Sequence, residues 1–274
     1  LVRIERWAFH HTRMVYMVTI VVTLISILGI FRIKSEGFIV DDLPKADKIY
    51  TDLKWFETNF GGVMPLEIIV DTKKKNGLMR SVKPIAAIDE FSSYLDSSDA
   101  TARPLSFVEG LKFAKQAFYD GDTLSYAIPY ESDLAFIGPY LKAKKDSAPT
   151  TGPNAFNRLI SNFIDSNKQK ARISVNMKDI GSAKLPELLA KFETKANQIF
   201  DRASYKISFT GSSVSFLEGS SFIINGLKES IFWAFLLISL CMLYLFKSIK
   251  ILFSSLIPNL IPLIVTAGVM GWAG

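Results

Sequence analysis

Three apolar runs constrain this chain more than any other feature. Residues 14–31 carry no charge, and neither do residues 230–246 or 251–274. A bilayer core about 30 Å thick is crossed by roughly 20 apolar residues in a helix, with tolerance down to about 17. All three runs meet that length. Between the first and the second lies a polar stretch long enough for a folded domain of its own. The spacing therefore predicts one span (1–31 with its flank), a large extramembrane domain (32–229), a second span (230–246), a short turn (247–250) and a third span (251–274). That layout points towards transport and away from soluble catalysis.

The flanking cations orient the spans. Arg3, Arg6 and Arg13 precede the first run, opposed only by Glu5, and Lys247 and Lys250 flank the short turn. Cytoplasmic flanks are enriched in Lys and Arg. Topological parity gives the same answer: both basic clusters lie inside and residues 32–229 lie outside.

The net charge of +6 does not mark a nucleic-acid binder. Five of the 32 Lys and Arg and one of the 26 Asp and Glu lie outside residues 32–229, which leaves that segment at only +2. Lys73-Lys74-Lys75 and Lys142, Lys144 and Lys145 read as solvated loops. The single cysteine, Cys241, falls in the second span, so no internal disulfide forms. An external domain without cysteine is compatible with a bacterial periplasm. The first run is longer than the apolar region of a signal peptide, and Gly29-Ile30-Phe31-Arg32 lacks a small-x-small cleavage site, so an uncleaved span is expected. The chain starts at Leu1 and stops at Gly274, at the end of a span, and reads as a fragment of a longer protein.

Within the external domain, three segments alternate with a period of two. Leu66, Ile68 and Val70 form one set, Ile173, Val175 and Met177 another, and Tyr205, Ile207 and Phe209 the third. Such alternation marks half-buried strands. A weaker strand is expected at 101–106, where Pro104 suits an edge. Amphipathic helices lie between: Ile49, Leu53, Phe56 and Phe60; Ile85, Ile88, Phe91 and Leu95; Leu185, Leu188, Leu189, Phe192, Ala196 and Ile199. The order is β-α-β-β-α-β, that of a ferredoxin-like unit. An insertion at about 107–170 breaks it, with helices expected at 107–118, 131–141 and 156–165. Phe118, Tyr119, Tyr126, Tyr130, Phe136 and Tyr140 crowd this insertion. They suit either a hydrophobic groove or the core of a small helical subdomain, and core is the commoner fate of such residues.

Thr210-Gly211-Ser212 precedes the second span, Phe246-Lys247-Ser248 makes the turn, and 256–263 reads Leu-Ile-Pro-Asn-Leu-Ile-Pro-Leu. Gly268-Val269-Met270-Gly271-Trp272-Ala273-Gly274 follows. Together with Phe107-Val108-Glu109-Gly110-Leu111-Lys112, Gly121-Asp122 and Ile128-Pro129, these segments resemble the resistance-nodulation-division (RND) superfamily of transporters, in its large-mycobacterial-membrane-protein (MMPL) branch of lipid exporters. The resemblance implies a porter-type α/β domain, and one repeat of a permease in which proton flow drives export of lipids or other hydrophobic molecules. It implies a bacterial inner membrane, with residues 32–229 in the periplasm. The expected partners are membrane lipids, a hydrophobic substrate, and the remaining spans and second repeat of the same permease; a homo-oligomer stays open. The acidic proton carrier of such families lies in the span after the third. Two rival readings share this layout: a protein-translocation accessory of the same superfamily, and a sensor or receptor with an external ligand-binding domain. The short turn into a third span counts against the sensor.

The candidate site residues follow from physical chemistry. Pro258 and Pro262 free backbone carbonyls that need partners in lipid, and Asn259 stands between them to serve one or to bond a neighbouring span. A transport hinge and a static packing kink both fit. Ala267 and Gly271 form a small-xxx-small pair beside Gly268, which suits close helix contact. Thr210, Gly211 and Ser212 would couple the domain to the membrane, through a helix that starts near Val214 and runs into the second span unless Gly219 or Gly226 breaks it. Asp41-Asp42 and Asp120-Gly121-Asp122 lack the ladder of a calcium loop and read as turns. His10 and His11, the only histidines, lie before the first span with no partner ligands nearby. No phosphate loop, dinucleotide glycine pattern or nucleophile elbow is present, so no enzyme activity and no cofactor are expected.

Overall fold

A computed structural model describes residues 12–33, 37–38, 43–133 and 160–273. The chain divides into two compact units, Gly37–Ser220 and the pair Leu1–Glu36 with Ser221–Gly274.

The first of these is a mixed α/β unit around a small antiparallel sheet. β1 (Met64–Asp71) lies between β2 (Lys170–Met177) and β3 (Lys206–Thr210). Register runs from Met64 opposite Met177 to Asp71 opposite Lys170 on one side, and from Glu67 opposite Thr210 to Asp71 opposite Lys206 on the other. The period-two pattern sends Leu66, Ile68, Val70, Ile173, Val175 and Met177 to one face, where all are buried. α3 (Val82–Asp96) and α5 (Leu185–Ile199) complete that core with Ile85, Ile88, Phe91, Leu95, Leu185, Phe192 and Ala196. The 3.6-residue stripe is what lets each helix bury these positions together. Aromatic edges lock the layer: Phe91 meets Phe200 at 5.8 Å and Tyr94 meets Phe192 at 6.2 Å, both T-shaped.

The weaker strand at 101–106 is realised only as two bridges on the outer edge of β2, Thr101 to Met177 and Leu105 to Ser174. Leu105 and Ser174 exchange both backbone hydrogen bonds, at 2.7 and 2.8 Å, and the Ala102 N–H donates to the Asn176 carbonyl at 2.8 Å, but the pairing slips by one residue between the two bridges. α4 (Phe107–Phe118) follows, capped by the Ser106 hydroxyl on the Val108 N–H, and adds Phe107, Val108 and Leu111 to the core. The expected helix at 131–141 falls mostly outside the described residues, as do Phe136 and Tyr140. Of 156–165, residues 160–165 are described, and there the helix ends at Ser161, a turn follows, and Ile164 bridges Ala171 of β2. Phe118, Tyr119 and Tyr130 are exposed, so these three do not fill a subdomain core.

α2 (Lys48–Phe60) starts at Asp47, whose carboxylate accepts from the Ile49 N–H, and stops at the left-handed Gly61. Gly62, at φ +144°, then passes so close to β2 that a Cβ would fall 2.2 Å from the Met177 carbonyl. The helix forms where its apolar spacing predicts, yet Ile49, Phe56 and Phe60 are exposed.

Among the described residues, the second unit holds three helices long and apolar enough to cross a membrane: α1 (Thr12–Ile30), the C-terminal part of α6 (Ser212–Phe246) and α7 (Ile249–Ala273). Their bulky side chains point outward, as a membrane-associated protein requires. α6 is unbroken through Gly219 and Gly226 and begins well before the apolar run. Its 35 residues would extend about 52 Å, more than a bilayer core needs. The joint to α7 is only Lys247-Ser248, shorter than the turn read from sequence, with Lys247 left-handed at φ +46°.

Candidate functional site

Three constellations stand out, and each is built from neighbouring elements of one unit.

The first is the seam of α1 with α7. Ser26 and Gly29 on α1 face Gly268 and Gly271 on α7. A Cβ on Gly29 would lie 2.3 Å from the Gly268 carbonyl, one on Gly268 would lie 2.4 Å from the Ser26 Cα, and one on Gly271 would lie 2.0 Å from the Gly29 carbonyl. Only hydrogen fits at these points. Trp272 closes the seam: its Nε1 donates to the Ile25 carbonyl at 3.1 Å, and the Arg32 guanidinium stands 4.8 Å over its ring. Of the residues expected in the packing pattern, Gly268 and Gly271 make the close contact and Ala267 is half-buried beside them. Ser26, Gly29 and the Trp272 hydrogen bond escape sequence reasoning. A single small residue on α1 carries no signal until its partner, some 240 residues on, is known.

Pro258, Asn259 and Pro262 lie on α7 nearer its start, all exposed. The helix continues through both prolines. Asn259 Nδ2 donates to the Ser255 carbonyl at 3.1 Å, and the Thr266 hydroxyl to the Pro262 carbonyl at 2.8 Å. The asparagine thus bonds within its own helix rather than to another span.

The second constellation is the turn from β3 into α6. Thr210 ends the strand opposite Glu67. Gly211, at φ +105°, lets the chain reverse where a Cβ would lie 2.8 Å from the Pro65 carbonyl. Ser212 opens α6, and the fully buried Ser213 donates its hydroxyl to that same Pro65 carbonyl at 2.9 Å. Beside it, Glu67 accepts from the Ser174 hydroxyl at 2.9 Å and pairs with Arg172 at 3.4 Å. The start of the long helix is therefore tied to β1 directly after it leaves β3, and β1 is in turn held to β2 by the Glu67 contacts.

The third was not foreseen as a cluster, although the motif that holds it was. Glu109 and Lys112, one turn apart on α4, collect Arg103, Tyr126 and Asp89. Glu109 Oε2 accepts from Arg103 and from the Tyr126 hydroxyl, both at 2.6 Å, while Lys112 bridges Glu109 at 3.2 Å and pairs with Asp89 on α3. Burial opposes ionisation of Glu109, but the Tyr126 and Arg103 hydrogen bonds and the Lys112 charge outweigh it and hold its carboxyl below its ordinary value. Burial likewise opposes the Lys112 charge, and Asp89 and Glu109 outweigh it and hold its ammonium above its ordinary value. One turn on, Lys115 donates to the Ile128 carbonyl at 3.2 Å and pairs with Asp133 at 3.3 Å. This network pins the chain after α4 to the helical layer.

Asp122 accepts from the Leu124 N–H and the Ser125 hydroxyl, so Asp120-Gly121-Asp122 is a turn. Asp41, Asp42, His10 and His11 lie outside the described residues. Among the described residues no three His, Cys, Asp or Glu side chains gather as a metal centre needs. No protein-family model matches the chain, and no curated protein matches it.

Proposed function

We propose that this chain is part of an RND-type permease, of the MMPL-like kind, that exports lipids or other hydrophobic molecules by alternating access driven by the proton gradient. The observation that carries this reading is α6. One unbroken helix starts at the Gly211 turn, clamped to the sheet through Ser213, and ends at the far side of the second apolar run. In this reading a change in strand packing at Thr210-Gly211-Ser212 is passed along this helix towards the second span. The sheet supports a ferredoxin-like porter unit, because the bridged segment 101–105 would extend it in the order 101–105, β2, β1, β3. In this reading Pro258, Asn259 and Pro262 form the hinge, and Gly268 and Gly271 the fixed seam against which it bends. The apolar runs 14–31, 230–246 and 251–274 carry no Asp, Glu, His, Lys or Arg, so in this reading the proton relay belongs to other spans of the permease. The membrane would be a bacterial inner membrane, with residues 32–229 in the periplasm.

Deleting the gene and measuring the lipids of the inner and outer envelope tests this. Accumulation of one lipid class inside, reproduced by collapsing the proton gradient, is the expected result. Normal lipid distribution with a defect in protein secretion would overturn it in favour of the translocation accessory.

A further inference from the structure

We propose that the apolar stripe of α2, formed by Ile49, Phe56 and Phe60, docks into the headgroup–acyl boundary of a lipid bilayer. This rests on the reading of the apolar helices as membrane spans. α2 is held to its unit by a face that shares only Leu53 with the apolar stripe its sequence marks. Tyr50, Leu53, Lys54 and Glu57 are its half-buried positions. Glu57 Oε1 accepts from the Asp179 N–H at 2.8 Å, and Lys54 pairs with Glu57 at 2.7 Å. Ile49, Phe56 and Phe60 form the neighbouring stripe at 58%, 45% and 52% exposure, with the two phenylalanine rings stacked at 4.2 Å. No residue of α2 is fully buried. A helix whose surroundings are water turns its apolar stripe inward. An interfacial helix turns it outward, a few ångströms into the acyl boundary.

The position of α2 within its unit selects lipid as the occupant. The segment that grips α2 through Asp179 also grips Gly37, whose carbonyl accepts from the Ser182 N–H at 2.8 Å and whose own N–H donates to the Ser182 hydroxyl at 2.8 Å. Gly37 also lies beside Phe216 and Ser220 of α6. Gly37 and Ser220 are the two residues at which the chain leaves this unit for the span-bearing segments. Only six residues separate Gly37 from Ile30, the last residue of α1. The stripe and both chain exits therefore share one end of the unit, the end at which β1 begins and β2 finishes. Between residues 45 and 60, Lys45, Lys48 and Lys54 balance Asp47, Asp52 and Glu57. The attraction is thus apolar area, and it does not require anionic lipid.

The test uses the full chain with Cys241→Ser, carrying one new cysteine at a time, labelled with an environment-sensitive fluorophore in phosphatidylcholine nanodiscs with or without brominated acyl chains. The positions are Phe56→Cys, Val269→Cys on the outer face of α7, and Lys75→Cys at the opposite end of the sheet. The expected result is loss of emission with brominated lipid at 56 and 269 and none at 75. Ile49→Cys repeats the measurement at the other end of the stripe, so that one disturbed variant does not decide it. Quenching at 269 with none at 56 or 49 overturns the proposal, and a blue-shifted but unquenched label there assigns the stripe to a protein partner instead. No quenching at 269 overturns the membrane reading and the proposal with it.

Discussion

The two units hide their atoms from solvent in opposite ways. In the α/β unit the fully buried large side chains are Phe, Leu and Ile from sheet and helices, such as Phe91, Ile68 and Phe192. Along α1 and α7 the buried positions are Ser26, Gly29 and Gly268, while Phe253, Val269 and Met270 face outward. Water drives the first arrangement, because apolar area is what folding removes from it. Lipid tails give no such drive, so contact there comes from backbones that approach closely enough to pack. One chain thus follows two rules, and the rule changes with the solvent.

The comparison predicts unequal responses to the same substitution. Phe91→Ala should destabilise the α/β unit by about 3–5 kcal/mol, read by denaturant unfolding of the purified protein in micelles. Phe253→Ala, at an outward position of α7, should change little in the same measurement; an equal loss would break the contrast. The seam reverses the direction of sensitivity. Gly271→Leu should overpack it and lose about 1–3 kcal/mol, seen as a lower melting temperature in detergent. Gly219→Ala, where no atom lies within 4 Å of the new methyl, should be neutral or stabilise by up to about 1 kcal/mol. If both glycines tolerate substitution alike, the seam is not a contact of backbones.

Two smaller effects sharpen the picture of the α/β unit. Ser213→Ala leaves the Pro65 carbonyl without its hydroxyl partner and should weaken the anchoring of α6 by about 1 kcal/mol. Faster hydrogen exchange at the start of α6 is the readout, and unchanged exchange there would remove the clamp from the argument. Acid gives the gentlest perturbation. Glu109 has a lowered folded-state value, so its contribution is present above the ordinary carboxylate range, near pH 4, and is lost as pH falls through the lowered value. Amide protection across α4 should therefore fall in acid, and Glu109→Gln should flatten that dependence. A wild-type profile as flat as the variant's would show that the network does not hold α4.

Sequence pattern made the strands and the core helices legible because their neighbours impose a period. Leu66, Ile68 and Val70 had to share a face, and so did Ile85, Ile88, Phe91 and Leu95. The start of α4 was legible for a related reason, since Ser106 precedes an apolar stripe as a cap does. Periodicity placed the α2 helix correctly but not its burial: Ile49, Phe56 and Phe60 have the spacing of a core stripe and are exposed. Pro104 permitted an edge strand, but a one-residue slip in the pairing with β2, which sequence does not show, left two bridges in place of a ladder. The turn at Gly211 was visible as a motif, whereas the partner that makes glycine necessary there, Pro65, was not. The Glu109 network was invisible because Arg103, Asp89 and Tyr126 come from three separate segments and charged residues carry no periodic signal of their own.

The glycine contacts on α7 also make its length a matter of phase. Each residue turns an α-helix by about 100°. One residue inserted between Pro262 and Gly268 would rotate Gly268 and Gly271 away from Ser26 and Gly29 while leaving every side chain chemically intact. Outward positions such as Val269 and Met270 can exchange one apolar side chain for another, but the count of residues along the helix cannot drift. α7 is in this sense a ruler, and its graduations are the residues without side chains.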